Sequence, residues 1–221
     1  MKREKCPAMS RFPKGKKARA QEIASRLEAL FPDAVCALEF HGDPFRLLVM
    51  ARLSAQCTDK RVNEVSGPLF ARFPDARAFA EAEISELEEA VRPCGLYRTK
   101  AAQIKEMSRI LLTRYGGKVP EDKESLMALP GVGEKIANLM LGDVFGDPHI
   151  VADTHLIRLA GRFSLVDSTD PAKVTRQMEQ LIPKEEQSDF CHRAILLGRG
   201  PCKARFPDCE ACPFMTEKAS F

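Results

Sequence analysis

The sequence predicts an all-α protein, and three observations carry that expectation. Apolar residues recur at helical spacing along most of the chain, no sustained apolar/polar alternation marks a strand, and turns built on glycine, proline and aspartate separate the runs.

Taken in order, Ile23, Leu27, Leu30 and Phe31 share one face of a first helix. After the turn His41-Gly42-Asp43-Pro44, "PFRLLVMARL" is apolar nearly all round, the pattern of a central buried helix. Val62, Val65, Leu69 and Phe70 line the next helix, which stops at Phe73-Pro74-Asp75. Ile84, Leu87 and Val91 repeat the spacing, as do Ile104, Met107, Ile110 and Leu111 up to the stop at Gly116-Gly117. Gly146-Asp147-Pro148 is the expected crossing between domains. Helical runs then cover Ile157 to Phe163, Val174 to Ile182 and Ala194 to Leu197.

The 221 residues, 44% hydrophobic and 29% charged, have room for one large core or two smaller ones. No apolar run approaches the ~20 residues of a membrane helix. The N-terminus lacks the apolar stretch of a secretory signal, so a cytoplasmic protein is expected. The net charge of +3 says little about partners, but its distribution says more. Lys2, Arg3, Lys5, Arg11, Lys14, Lys16, Lys17 and Arg19 crowd the first twenty residues, which predicts a flexible basic arm over 1–19.

Eight cysteines in a reducing compartment are not read as disulfides. Cys6, Cys36, Cys57, Cys94 and Cys191 are scattered and read as small buried residues. Cys202, Cys209 and Cys212 fall in one short loop as C-x6-C-x2-C, which is the spacing of metal ligands.

The stretch "LPGVGEKIANLML", Leu129 to Leu141, reads as a tight turn leading into a helix. Pro130 ends the preceding helix, and Gly131 and Gly133 permit positive φ. A turn without Cβ atoms lets backbone N–H groups approach a phosphate, and the next helix offers its positive end. Such a hairpin is expected to grip a DNA backbone and read no bases, the other reading being an αα-hairpin whose glycines serve packing alone. Lys135 has two possible tasks: a cation for phosphate, or a nucleophile. A helix N-terminus disfavours positive charge, and packing against Ile136 and Leu139 would act the same way, so the amine there is a candidate to attack a sugar carbon and form a Schiff base. Eighteen residues on, in "IVADTHLIRLAGRF", Asp153 is placed to cap a helix starting at Thr154. A carboxylate fixed there stabilises cationic charge developing on a sugar.

With these residues in place, the chain resembles the helix-hairpin-helix DNA glycosylases of the endonuclease III family. "SAQCTDKRVN", "CGLYRTKAAQI", "LPGVGEK", "ADTH" and the C-terminal cysteine loop follow one another as that family's motifs do. The resemblance implies that Lys135 is the nucleophile and Asp153 the catalytic carboxylate. It implies removal of damaged, oxidised pyrimidines from double-stranded DNA, base flipping, and strand cleavage at the abasic site by β-elimination. Gln56 and Leu96 match positions that fill the gap left by the flipped nucleotide, and Gly131, Val132 and Gly133 the phosphate-gripping hairpin. Lys203 and Arg205 would meet phosphates from the cysteine loop.

The family fold implies a six-helix domain over 37–147 and a discontinuous helical domain from 20–36 plus 148–221. DNA would lie in the cleft between them. A monomer without membrane contact, associated with the nucleoid, is expected. The family's cluster loop is C-x6-C-x2-C-x5-C, which implies a [4Fe–4S] cluster and no organic cofactor. Cys202, Cys209 and Cys212 fit its first three positions, but the fourth is Lys218. Glu217, solvent, or zinc with His192 are the ways left to complete the site; Cys191 matches a family cysteine that is not a ligand. Adenine-specific relatives lack the lysine at the Lys135 position. The reading from another class is a DNA-binding protein without catalysis, which would have no use for Asp153 paired with Lys135.

Overall fold

The computed structural model describes residues 5–215. Among them there are eleven α-helices and no strand. In chain order these are α1 (Lys16–Leu30), α2 (Pro44–Leu53), α3 (Asp59–Arg72), α4 (Ala76–Glu81), α5 (Ile84–Val91), α6 (Tyr97–Tyr115), α7 (Lys123–Met127), α8 (Glu134–Phe145), α9 (Thr154–Arg162), α10 (Pro171–Glu179) and α11 (Gln187–Arg199). The chain divides into two compact units, Cys36–Gly146 and Met1–Val35 with Asp147–Phe221.

The continuous unit holds α2 to α8, seven segments where six helices were expected; α4 and α7 are only one or two turns long. Its centre is α2, whose start follows from its sequence. Asp43 accepts hydrogen bonds from the N–H groups of Phe45 (2.9 Å) and Arg46 (3.2 Å), and Pro44 occupies the first helical position, where no N–H is needed. The helix buries Phe45 and every residue from Leu47 to Leu53. Phe79 on α4 is fully buried and packs against the rings of Phe45, Phe70 and Phe73 at 5.4–5.9 Å. The long α6 closes at Gly116 in the left-handed conformation (φ 61°) that favours glycine.

In the discontinuous unit, α11 packs against α1 and α9. The expected flexible arm is not there in the described residues. Pro7–Arg11 form a 3-10 turn, Ala8 and Phe12 are buried, and α1 starts at Lys16 with Arg19 and Ala20 buried. Two apolar residues among the cations explain this. Phe12 packs against Phe163 (5.8 Å) and Phe214 (6.0 Å), and Arg11 donates to the carbonyl of Met215. Lys2 and Arg3 lie outside the described residues.

Candidate active site

The hairpin joins α7 to α8. Leu129 and Val132 are buried, and the Val132 N–H donates to the Leu129 carbonyl at 3.1 Å. Val132, expected among the DNA-contacting groups, therefore anchors the turn inward; the exposed members are Gly131 and Gly133. The two glycines differ. Gly131 has φ +78°, and a Cβ there would lie 2.5 Å from Arg52 Nε and 2.6 Å from Gln103 Oε1. Gly133 has φ −102°, open to any residue, with nothing within 4 Å of its Cβ position. Only Gly131 needs glycine for its backbone; at Gly133 the missing side chain leaves clear space in front of a helix N-terminus.

Lys135 sits in the first turn of α8 and is exposed, not packed against Ile136 and Leu139 as expected. Helical side chains lean toward the N-terminus, and in a first turn no preceding turn lies there to cover them. The adjacent Glu134 pairs with Lys123 at 3.0 Å.

Gln56 and Leu96 lie on two turns of the same unit, after α2 and before α6, and both are exposed, Leu96 by 55%. Both hold left-handed backbone, φ 54° and 46°, an uncommon and strained choice for residues with a Cβ. One buried cation ties the turns together. Lys100, 0% exposed, donates from Nζ to the carbonyls of Leu53 (2.8 Å) and Cys94 (2.7 Å). Burial lowers the Lys100 pKa, opposed by the Cys94 and Cys57 thiols; burial with Cys57 beside it pushes the Cys94 thiol up to about 11.

In the discontinuous unit, Asp153 is half-exposed and caps α9, accepting from the Leu156 N–H at 2.7 Å. The same helix holds the cysteine loop. Arg158 donates to the carbonyls of Gly198 (2.8 Å) and Cys202 (3.1 Å), and Arg162 to the carbonyl of Lys203 (2.7 Å) and the sulfur of Cys202 (3.1 Å). Lys203 and Arg205 are exposed, next to Phe206, which is 93% exposed.

Cys202, Cys209 and Cys212 line one cavity of about 230 Å³, and Cys6 lines it too. Its scattered position in the sequence marks Cys6 as a small buried residue, and nothing in local spacing connects it to the loop. One of the four sulfurs, that of Cys202, receives a hydrogen bond from Arg162 at 3.1 Å. Burial raises the Cys6 thiol pKa and pushes Cys212 up to about 11. Among the described residues no three thiol, imidazole or carboxylate groups converge tightly enough for a single metal ion. Soft thiol donors around a cavity, one of them hydrogen-bonded by Arg162, fit an iron–sulfur cluster better than one zinc ion at ~2.3 Å from each sulfur. Cys191 accepts from the Val151 N–H (3.3 Å), and neither it nor His192 lines the cavity. Glu217 and Lys218 lie outside the described residues.

Residues 49–184 match the HhH-GPD superfamily of base excision DNA repair proteins. Within it, endonuclease III of Synechocystis sp. PCC 6803 is 42% identical over 198 residues, covering 89% of this chain and 90% of that protein. Two solved structures are similar at 40% identity, each covering 90% of this chain and 93% of the other. They are a non-covalent endonuclease III–DNA complex (TM-score 0.85) and a trapped endonuclease III–DNA covalent intermediate with an estranged adenine (TM-score 0.84). The chain belongs to the HhH-GPD superfamily and, within it, to the endonuclease III family. Its activity is that of a bifunctional DNA glycosylase and AP lyase of base excision repair, acting on DNA. No helix among the described residues is long and apolar enough to cross a membrane.

Proposed function

We propose that this chain excises oxidised pyrimidines from duplex DNA with Lys135 as nucleophile and Asp153 as the supporting carboxylate, working as a monomer on the nucleoid. The observation that carries the reading is Lys135 standing exposed in the first turn of α8, directly after the Gly131–Gly133 hairpin. The similar endonuclease III trapped as a covalent intermediate on DNA supports a nucleophilic route. The neutral Lys135 amine attacks C1′, and the base departs with the bonding electrons and takes up a proton. The C1′–O4′ bond then opens as the Lys135 nitrogen pushes its lone pair onto C1′ and O4′ takes a proton from solvent. The resulting Schiff base acidifies the proton on C2′. Loss of that proton expels the 3′ phosphate, and water then releases Lys135. Asp153, held by the Leu156 N–H, offers negative charge where the sugar becomes cationic.

The exposed residues Gly131 and Gly133 take a phosphate through backbone N–H groups, while Gln56 and Leu96 fill the vacated stack from their strained turns. Cys202, Cys209 and Cys212 hold a [4Fe–4S] cluster, which when bound supplies a rigid core for the loop that presents Lys203 and Arg205 to the backbone.

Incubation with abasic-site duplex and borohydride tests the central step. The wild type gives a covalent adduct, and Lys135→Gln gives none while still binding DNA. Equal trapping by Lys135→Gln moves the nucleophile elsewhere. Asp153→Asn, which caps about as well as Asp, lowers turnover by a factor on the order of 10².

A further inference from the structure

Local spacing supplies three thiols in the C-terminal loop and puts Lys218 where a fourth would stand. The cavity has a fourth thiol all the same, from the opposite end of the chain. We propose that Cys6 is the fourth cysteine ligand of the [4Fe–4S] cluster, in place of the one missing from the loop. The inference rests on the reading that the loop holds such a cluster.

Cys6 is held on both sides. Its N–H donates to the Arg162 carbonyl at 2.9 Å, and it stands at the N-cap of the 3-10 turn Pro7–Arg11. The same Arg162 donates from Nη1 to the Cys202 sulfur at 3.1 Å, so one residue positions ligands from both ends of the chain. The segment carrying Cys6 is fastened to the loop carrying the others. Phe12 packs on Phe163 and Phe214, and Arg11 reaches the Met215 carbonyl.

The chemistry agrees with the placement. A cubane of iron and sulfide takes four soft donors, and Cys6 makes the set all-thiolate. Binding displaces a proton from each thiol, and the Arg162 guanidinium and Lys5, which line the cavity, lie beside the resulting negative charge. No other described cysteine lines this cavity.

The test is to purify the wild type and Cys6→Ala anaerobically, confirm equal helix content by circular dichroism, and count iron and acid-labile sulfide before and after air exposure. The wild type holds four irons that persist. Cys6→Ala sheds iron about tenfold faster or more, since even indirect partners of metal sites act on that scale, and passes through a three-iron form visible by electron paramagnetic resonance. Cys6→Ala with Lys218→Cys regains wild-type persistence. Four irons retained equally long by Cys6→Ala would remove Cys6 from the ligand set. A wild type with no iron and sulfide, or with zinc, would instead overturn the cluster reading beneath it. A second measurement needs no variant: in the loaded wild type Cys6 resists alkylation together with Cys202, Cys209 and Cys212, and it labels after iron chelation. Rapid labelling of Cys6 alone in the loaded protein would overturn the assignment.

Discussion

Arg52 Nε donates to Gln103 Oε1 at 2.6 Å, and the pair fills the space that a side chain at Gly131 would need. Arg52 is only 8% exposed, so it has little room to give way. The hairpin is thus supported from below by a buried arginine on α2, whose pKa is lowered by that burial.

The two hairpin glycines should therefore fail differently. Gly131→Ala adds overpacking of about 1–3 kcal/mol to a left-handed backbone cost of about 1–2 kcal/mol, and should lower the melting temperature clearly. Gly133→Thr meets open space and extended backbone, and threonine caps a helix about as well as glycine, so stability should change by less than about 0.5 kcal/mol. Its DNA affinity should nevertheless fall, equally on damaged and undamaged duplex. Melting curves and anisotropy titrations of both variants decide this. Full affinity in Gly133→Thr would mean that no phosphate approaches there.

His155 gives the discontinuous unit a pH dependence. Burial lowers its pKa, with Arg158 and Arg199 acting the same way and Asp153 and the Gly198 backbone opposing. Its Nδ1 lies 3.1 Å from Arg158 Nη2, a contact in which a neutral ring accepts. The folded pKa is below the unfolded value of about 6.5. The neutral side chain therefore costs nothing above that pH. As pH falls below it, the unfolded chain binds the proton first and stability drops. His155→Asn keeps an acceptor near the Nδ1 position without titrating, so the fall in melting temperature between about pH 7 and 5 should be shallower than in wild type. Parallel curves would show that His155 is not the sensor.

Much of this was legible in the sequence because it is local. The apolar face of α3, the buried run of α2 and the Asp153 cap each follow from residues within a turn or two of one another. What escaped depends on contacts between distant segments. Lys100 looks like an ordinary polar residue of "CGLYRTKA", and only the fold shows its amine closing the Leu53 and Cys94 carbonyls. Arg52 likewise appears as the odd charge in an apolar helix. The basic character of the first twenty residues concealed Ala8 and Phe12, and with them the reason Cys6 reaches the loop. At the hairpin the sequence could not separate a glycine needed for φ from one needed for space.

Glu134 is the remaining oddity, a carboxylate between the Gly131–Gly133 turn and Lys135, the proposed phosphate site and nucleophile. It suits the positive end of α8, and its pairing with Lys123 at 3.0 Å is a half-exposed contact worth about 0–1 kcal/mol. On the proposed phosphate contact at this turn, it would work against DNA binding by repelling phosphate and by occupying a cation. Glu134→Gln should destabilise the fold by no more than about 1 kcal/mol while freeing Lys123. If Lys123 then gains a phosphate contact, the slope of log affinity against log salt should steepen by about 0.9, and binding at low salt should tighten severalfold. The gain should fade at high salt, where exposed charges are screened. Anisotropy on undamaged duplex across a salt series measures both quantities. An unchanged slope with unchanged affinity would mean that this side of the hairpin, and Lys123 with it, stands clear of the DNA backbone.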